Sequence, residues 1–129
     1  MRSNVNIVNA AWSGLIVLCC TTYSSVLPAL RAKAASDFGC SKSAVQNETF
    51  AEGFEKVKGC GKEDIYAWDS GQEKWISALD RAEFDLSCKR ERLTSKHLGA
   101  RDVGVTGCGK KATYVLHPAS GWVMNSTAK

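Results

Sequence analysis

Sliding the chain along itself by 48 positions, without a gap, lays Asp37 on Asp85, Cys40 on Cys88 and Val57 on Val105. It also lays Gly59-Cys60-Gly61-Lys62 on Gly107-Cys108-Gly109-Lys110, and Tyr66 on Tyr114. Conservative matches reinforce the identities: Phe38 with Leu86, Val45 with Leu93, Phe50 with Leu98 and, after a one-residue slip in a turn, Trp75-Ile76 with Trp122-Val123. A period near 50 is typical of solenoids and propellers, but two copies cannot close a ring, and solenoids need three or more units to bury their faces. The expected outcome is two half-domains held together. The 129 residues leave room for one small domain or two very small ones and exclude a full-size barrel or dinucleotide fold. With 44% apolar residues, 23% charged residues and two prolines, the chain has the composition of a packed globule.

Within each copy the pattern is a short helix followed by three strands. Ser77 to Leu86 places Ala78, Leu79, Ala82 and Leu86 on one helical stripe, and Ala32 to Phe38 is its weaker counterpart. Val45 to Phe50 and Leu93 to Leu98 read as first strands. Turn residues Glu52-Gly53 and Gly99 to Asp102 lead into Phe54 to Lys58 and Val103 to Gly107. The Gly-Cys-Gly unit then breaks the alternation as a bulge would, and the ladder resumes at Ile65-Tyr66. Asp69-Ser70-Gly71 and His117-Pro118-Ala119-Ser120-Gly121 are turn chemistry that returns the chain as strands at Trp75 and Trp122. The expected fold class is α+β, two tandem copies of a short helix plus a three-stranded antiparallel meander, over residues 35–78 and 79–129.

Cys40 and Cys60 are 20 positions apart, as are Cys88 and Cys108. The simplest connectivity repeats with the sequence, Cys40 to Cys60 and Cys88 to Cys108, although four cysteines allow three connectivities. Closing each loop would remove about 3 kcal/mol of unfolded-state entropy, comparable to what so small a half-domain could otherwise supply. A four-cysteine zinc site usually draws its ligands in close pairs such as C-x-x-C, and no two of these four lie within ten positions of each other. The expectation is structural disulfides, with no metal and no cofactor.

Residues 1–34 read as a targeting segment. Arg2 opens a polar start, Ala10 to Leu27 carry no charge, and Pro28 and Ala32-Lys33-Ala34 follow, so cleavage after Ala34 fits a signal peptide. Two alternatives use the same residues: lipidation at Cys20, preceded by Val17-Leu18-Cys19, and an uncleaved membrane anchor from Ala10 to Leu27. A buried N-terminal helix is the purely structural alternative.

Phe38-Gly39-Cys40, Gly59-Cys60-Gly61-Lys62 and Tyr66, repeated as Leu86-Ser87-Cys88, Gly107-Cys108-Gly109-Lys110 and Tyr114, resemble a repeat found in small exported bacterial proteins and lipoproteins of unknown function. The resemblance covers residues 35 to 126. It implies an exported location, secreted, periplasmic or attached to the cell envelope, and supplies no activity.

Enzyme chemistry finds little footing. His97 falls in an expected strand and His117 opens a turn; Asp102 or Ser120 could be drafted as a partner, but almost any small protein offers as much. The Gly-Cys-Gly-Lys unit superficially resembles a phosphate loop, yet Glu63 and Lys111 stand where a Ser or Thr should follow the lysine. Charge offers a second lead. Residues 35–78 carry net −3 and residues 79–129 net +4. Lys89, Arg90, Arg92, Lys110 and Lys111 flank the second cysteine pair and could converge on an anion-binding face for an anionic envelope component or an acidic protein. Equally, the oppositely charged halves could face one another. Nothing marks a nucleic-acid binder, because the chain beyond residue 34 is near neutral, with 14 basic and 13 acidic residues. The favoured reading is an exported, non-enzymatic module, structural or partner-binding. A secreted disulfide-stabilised inhibitor or toxin-like protein, with the 117–121 turn as its protruding loop, is the alternative, and a small enzyme ranks last.

Overall fold

Gly59-Cys60-Gly61-Lys62 is a chain reversal. In the computed structural model, Cys60 and Gly61 have φ of 51° and 74°, and Cys108 and Gly109 have 51° and 72°. Two successive positive φ values are the signature of a two-residue hairpin turn whose twist suits its strands. Across the turns Gly59 pairs with Lys62 and Gly107 with Lys110. The bulge expected from the broken alternation is therefore a turn, and each sheet has four strands where three were expected. The preceding glycines allow close approach: a Cβ on Gly59 would lie 3.1 Å from the Ala44 carbonyl, and one on Gly107 would collide with the Arg92 carbonyl.

The structure describes residues 21–117 and 120–128, with side chains from 26 to 117 and from 120 to 126. The elements are α1 (Thr21–Phe38), β1 (Gln46–Ala51), β2 (Phe54–Gly59), β3 (Lys62–Asp69), β4 (Lys74–Ser77), α2 (Ala78–Leu86), β5 (Thr94–His97), β6 (Asp102–Gly107), β7 (Lys110–His117) and β8 (Gly121–Ala128). Short 3-10 turns at Lys42–Ala44 and Arg90–Arg92 precede β1 and β5. The fold is α+β, with two four-stranded antiparallel meanders, β1-β2-β3-β4 and β5-β6-β7-β8. Their registers correspond. Gln46 pairs with Lys58 as Thr94 does with Thr106, and Trp75 stands opposite Trp68 as Trp122 does opposite Leu116.

Local chemistry sets the helix ends. Ser77 caps α2 by accepting a hydrogen bond from the Asp80 amide at 3.0 Å, and Ser87, at φ 49°, turns the chain out in the left-handed conformation. Lys62 then donates to the Phe38 carbonyl at the end of α1 at 3.1 Å, and Lys110 to the Leu86 carbonyl at the end of α2 at 2.8 Å. A lysine there satisfies an orphan carbonyl and complements the negative helix end. The repeated Gly-Cys-Gly-Lys is thus a hairpin turn whose last residue caps the preceding helix.

Among the described residues two clusters form the core. In one, Leu30, Ala34, Ala35 and Phe38 of α1 pack on Val45, Val57, Tyr66 and Trp75. In the other, the opposite face of the first sheet, through Phe54, Ile65 and Ala67, meets α2 and the Val103, Val105, Ala112, Tyr114 and Trp122 side chains. The first sheet is therefore covered on both faces, and four consecutive β3 residues, Asp64 to Ala67, are buried. In β7 burial alternates, with Ala112 and Tyr114 inside, the pattern of a sheet covered on one face.

Helix α1 is longer than the Ala32–Phe38 stretch expected from periodicity, and the expected 34/35 boundary falls inside it. Leu30 and Ala34 are fully buried, and the Trp75 indole donates to the Val26 carbonyl at 2.9 Å. Residues 1–20, with Cys19, Cys20 and most of the uncharged stretch, lie outside the described residues. No described helix is long and apolar enough to cross a membrane.

Candidate functional site

A groove of about 420 Å³ runs between the two halves. The end of α1 supplies Asp37 and Phe38, the β2–β3 turn Gly61, the start of β3 Lys62 and Glu63, and α2 Leu79. The segment entering β5 supplies Arg90, Glu91, Leu93, Thr94 and Ser95. Phe38, Leu79 and Leu93 are buried apolar residues that form its floor. The Ser95 hydroxyl is buried and has no hydrogen-bond partner among the described residues, which leaves a polar group desolvated and uncompensated.

Beside the groove lies a polar network that brings together Asp37, Tyr66, Ser77 and Arg90, each notable in the sequence for a different reason, around Asp64, which the sequence reading did not single out. Asp64, fully buried on β3, accepts hydrogen bonds from the Ile65 and Leu79 amides at 2.7 and 3.3 Å and from the Ser77 hydroxyl. Arg90 enters from the second half. Its Nη2 stands 2.5 Å from Asp64 Oδ2 and 3.4 Å from the Tyr66 hydroxyl, and its Nη1 reaches Ser77 Oγ at 2.9 Å and pairs with Asp80. Tyr66 donates to Asp37 at 2.7 Å, and Lys33 bridges Asp37 and Asp80 at 3.1 Å each.

The electrostatics follow from burial. Desolvation pushes the Asp64 carboxyl up to about 6, against the opposing pull of Arg90 and the hydrogen bonds from Ser77 and Ile65. Burial, then the Asp64 charge, holds the Tyr66 phenol above its ordinary value. Burial works against the Arg90 and Lys33 cations, but the surrounding carboxylates outweigh it and raise both. Tyr114, the counterpart of Tyr66, is likewise raised by burial and then by Asp85. The repeated tyrosines nevertheless differ: the Tyr66 hydroxyl donates to Asp37, whereas the Tyr114 hydroxyl is buried with no hydrogen-bond partner among the described residues.

The five basic residues singled out in the sequence do not remain together as free cations. Arg90 is turned inward with its side chain 13% exposed, because an unpaired buried Asp64 would be costly, and Lys110 is held on the Leu86 carbonyl. Lys89, Arg92 and Lys111 are exposed. The opposite charges of the halves are in part consumed at the contact between them.

Of the four repeat cysteines, Cys88 and Cys108 are joined, with an S–S distance of 2.04 Å. Cys40 and Cys60 are both thiols, and a hydrogen bond to Cys60 raises the Cys40 pKa. His97 stacks on Phe50 with ring centroids 4.1 Å apart, and His117 ends β7; neither lines the groove. Residues 118 and 119 of the expected protruding turn lie outside the described residues. Trp75 and Trp122 are 4% and 2% exposed, packing residues and not a ligand platform. Among the described residues no group of three or more His, Cys, Asp or Glu is placed to hold a metal ion.

Asp64 carried the one signal that could have revealed the network. It is a charge beside the apolar run Ile65-Tyr66-Ala67, at a position where the other copy has Ala112. Compared with protein-family models, curated proteins and solved structures, the chain has no match.

Proposed function

We propose that this protein is an exported, non-enzymatic module of the cell envelope or secreted space that works by binding a partner. The observation that carries the reading is the Cys88–Cys108 bond, since structural disulfides persist in oxidising compartments. The repeat's resemblance to those of small exported bacterial proteins and lipoproteins supports it. In its finer form, each tandem copy is a helix and meander closed by its own disulfide, with oxidation also joining Cys40 to Cys60, which already contact one another.

The packing of α1 favours export with the helix retained. Cleavage after Ala34 would remove Leu30 and Ala34 from the core and Val26 from its bond to Trp75. Lipidation at Cys20 leaves that packing whole, whereas an anchor over Ala10 to Leu27 would draw Val26 and Leu27 away from the core they pack against. Fractionating cells that make the full chain, then sequencing its mature N-terminus, tests both parts. The expected protein is in the exported fraction, has Cys88 joined to Cys108 and begins upstream of Val26. A reduced cytosolic protein overturns export, and a chain beginning at Ala35 overturns retention of the helix.

A further inference from the structure

We propose that the groove between the halves is a binding site for a small zwitterion of the amino-acid type, a free amino acid or dipeptide with an apolar side chain. This deepens the partner-binding reading, and binding in solution is independent of export, so the two fail separately. A groove of about 420 Å³ falls within the ~300–1,000 Å³ range of small-molecule sites. Its charged groups divide into two sets. Asp37 is held by Tyr66 and Lys33, Glu63 is paired with Lys56 and Lys58 at 3.0 and 3.4 Å, and Arg90 is enclosed by Asp64 and Asp80. Lys62 and Glu91 remain. The Lys62 ammonium, with three donors, gives one hydrogen bond to the Phe38 carbonyl, and Glu91 makes no ion pair among the described residues.

The groove is thus lined by one cation and one anion without a counter-ion among the described residues, by Ser95, whose hydroxyl is buried just beneath its surface, and by an apolar floor of Phe38, Leu79 and Leu93. A simple anion on Lys62 would leave Glu91 without a counter-charge, and a simple cation on Glu91 would leave Lys62 without one. A zwitterion satisfies both signs: its carboxylate goes to Lys62, its ammonium to Glu91, its side chain lies on the floor, and Ser95 supplies a further hydrogen bond.

Titrating the isotopically labelled full chain with L-leucine and L-leucyl-L-leucine, followed by amide NMR, tests the assignment. Saturable shifts are expected at Lys62, Glu91, Thr94 and Ser95. Acetylating the ligand's amine or amidating its carboxylate should weaken binding by about 10-fold each, the loss of one charge-assisted contact. Glu91→Gln, at an exposed position that leaves the spectrum otherwise intact, should abolish the preference for a free amine, and Ser95→Ala should weaken both ligands. The proposal is overturned if neither ligand gives saturable shifts, if blocked and unblocked ligands bind equally, or if the shifts map outside the groove.

Discussion

Arg90 Nη2 stands 2.5 Å from Asp64 Oδ2, joining a residue of the basic second half to a buried carboxylate of the acidic first. Asp64 sits on the central strand β3, and Arg90 in the 3-10 turn that leads into β5, so this pair ties the two sheets together.

Removing the cation should therefore cost more than an ordinary surface substitution. Arg90→Met leaves Asp64 buried without its counter-charge and should destabilise the protein by about 3–5 kcal/mol. Adding Asp64→Asn should recover a substantial part of that loss, because the unpaired charge is gone. Urea unfolding of the two single variants and the double variant gives the coupling, and strict additivity would show that the pair does not act as one unit.

Acidity should act through the same carboxylate. With its pKa pushed up to about 6 from an unfolded value near 3.8, Asp64 binds a proton more tightly in the folded state. Its contribution to stability is full below about pH 4 and is lost as the pH rises through 6, amounting to about 3 kcal/mol. The melting temperature of the wild type relative to Asp64→Asn should fall between pH 4 and 7. A difference that stays flat or rises over that range contradicts the assignment.

The cysteines should behave as two separate pairs. Peptide mapping of non-reduced protein should join Cys88 to Cys108, and exposure to oxidised glutathione should join Cys40 to Cys60, each cysteine only to its own partner. Crossed products between the halves would contradict the structure. Replacing both Cys88 and Cys108 by alanine should cost about 3 kcal/mol.

Neighbouring lysines should differ. Lys110 bonds the last carbonyl of α2 and Lys111 is an exposed residue of β7. Lys110→Met should lower stability by about 1 kcal/mol, whereas Lys111→Met should stay within about 0.5 kcal/mol of the wild type. Equal effects in thermal unfolding would remove the capping role from the Gly-Cys-Gly-Lys unit.

Sequence alone determined what local chemistry dictates. The apolar stripe of Ala78, Leu79, Ala82 and Leu86 is a helix, Trp75 and Trp122 occupy matching places in their ladders after a one-residue slip, and Cys88 meets Cys108 at the repeated spacing. The reversal at Gly-Cys-Gly was written in the same residues. A broken alternation fits a bulge as well as a turn, and the positive φ of Cys60 and Cys108 is what separates the two. Tertiary structure decided the remainder. Whether a strand is covered on one face or two depends on what packs against it, so Asp64 to Ala67 are all buried while the matching strand alternates. The same holds for the charges: Arg90 and Lys89 are adjacent in the chain, yet one is drawn inward and the other is exposed. Only the fold brings three carboxylates from α1, β3 and α2 around a single guanidinium, and the cost of leaving Asp64 unpaired settles which arginine is drawn inside.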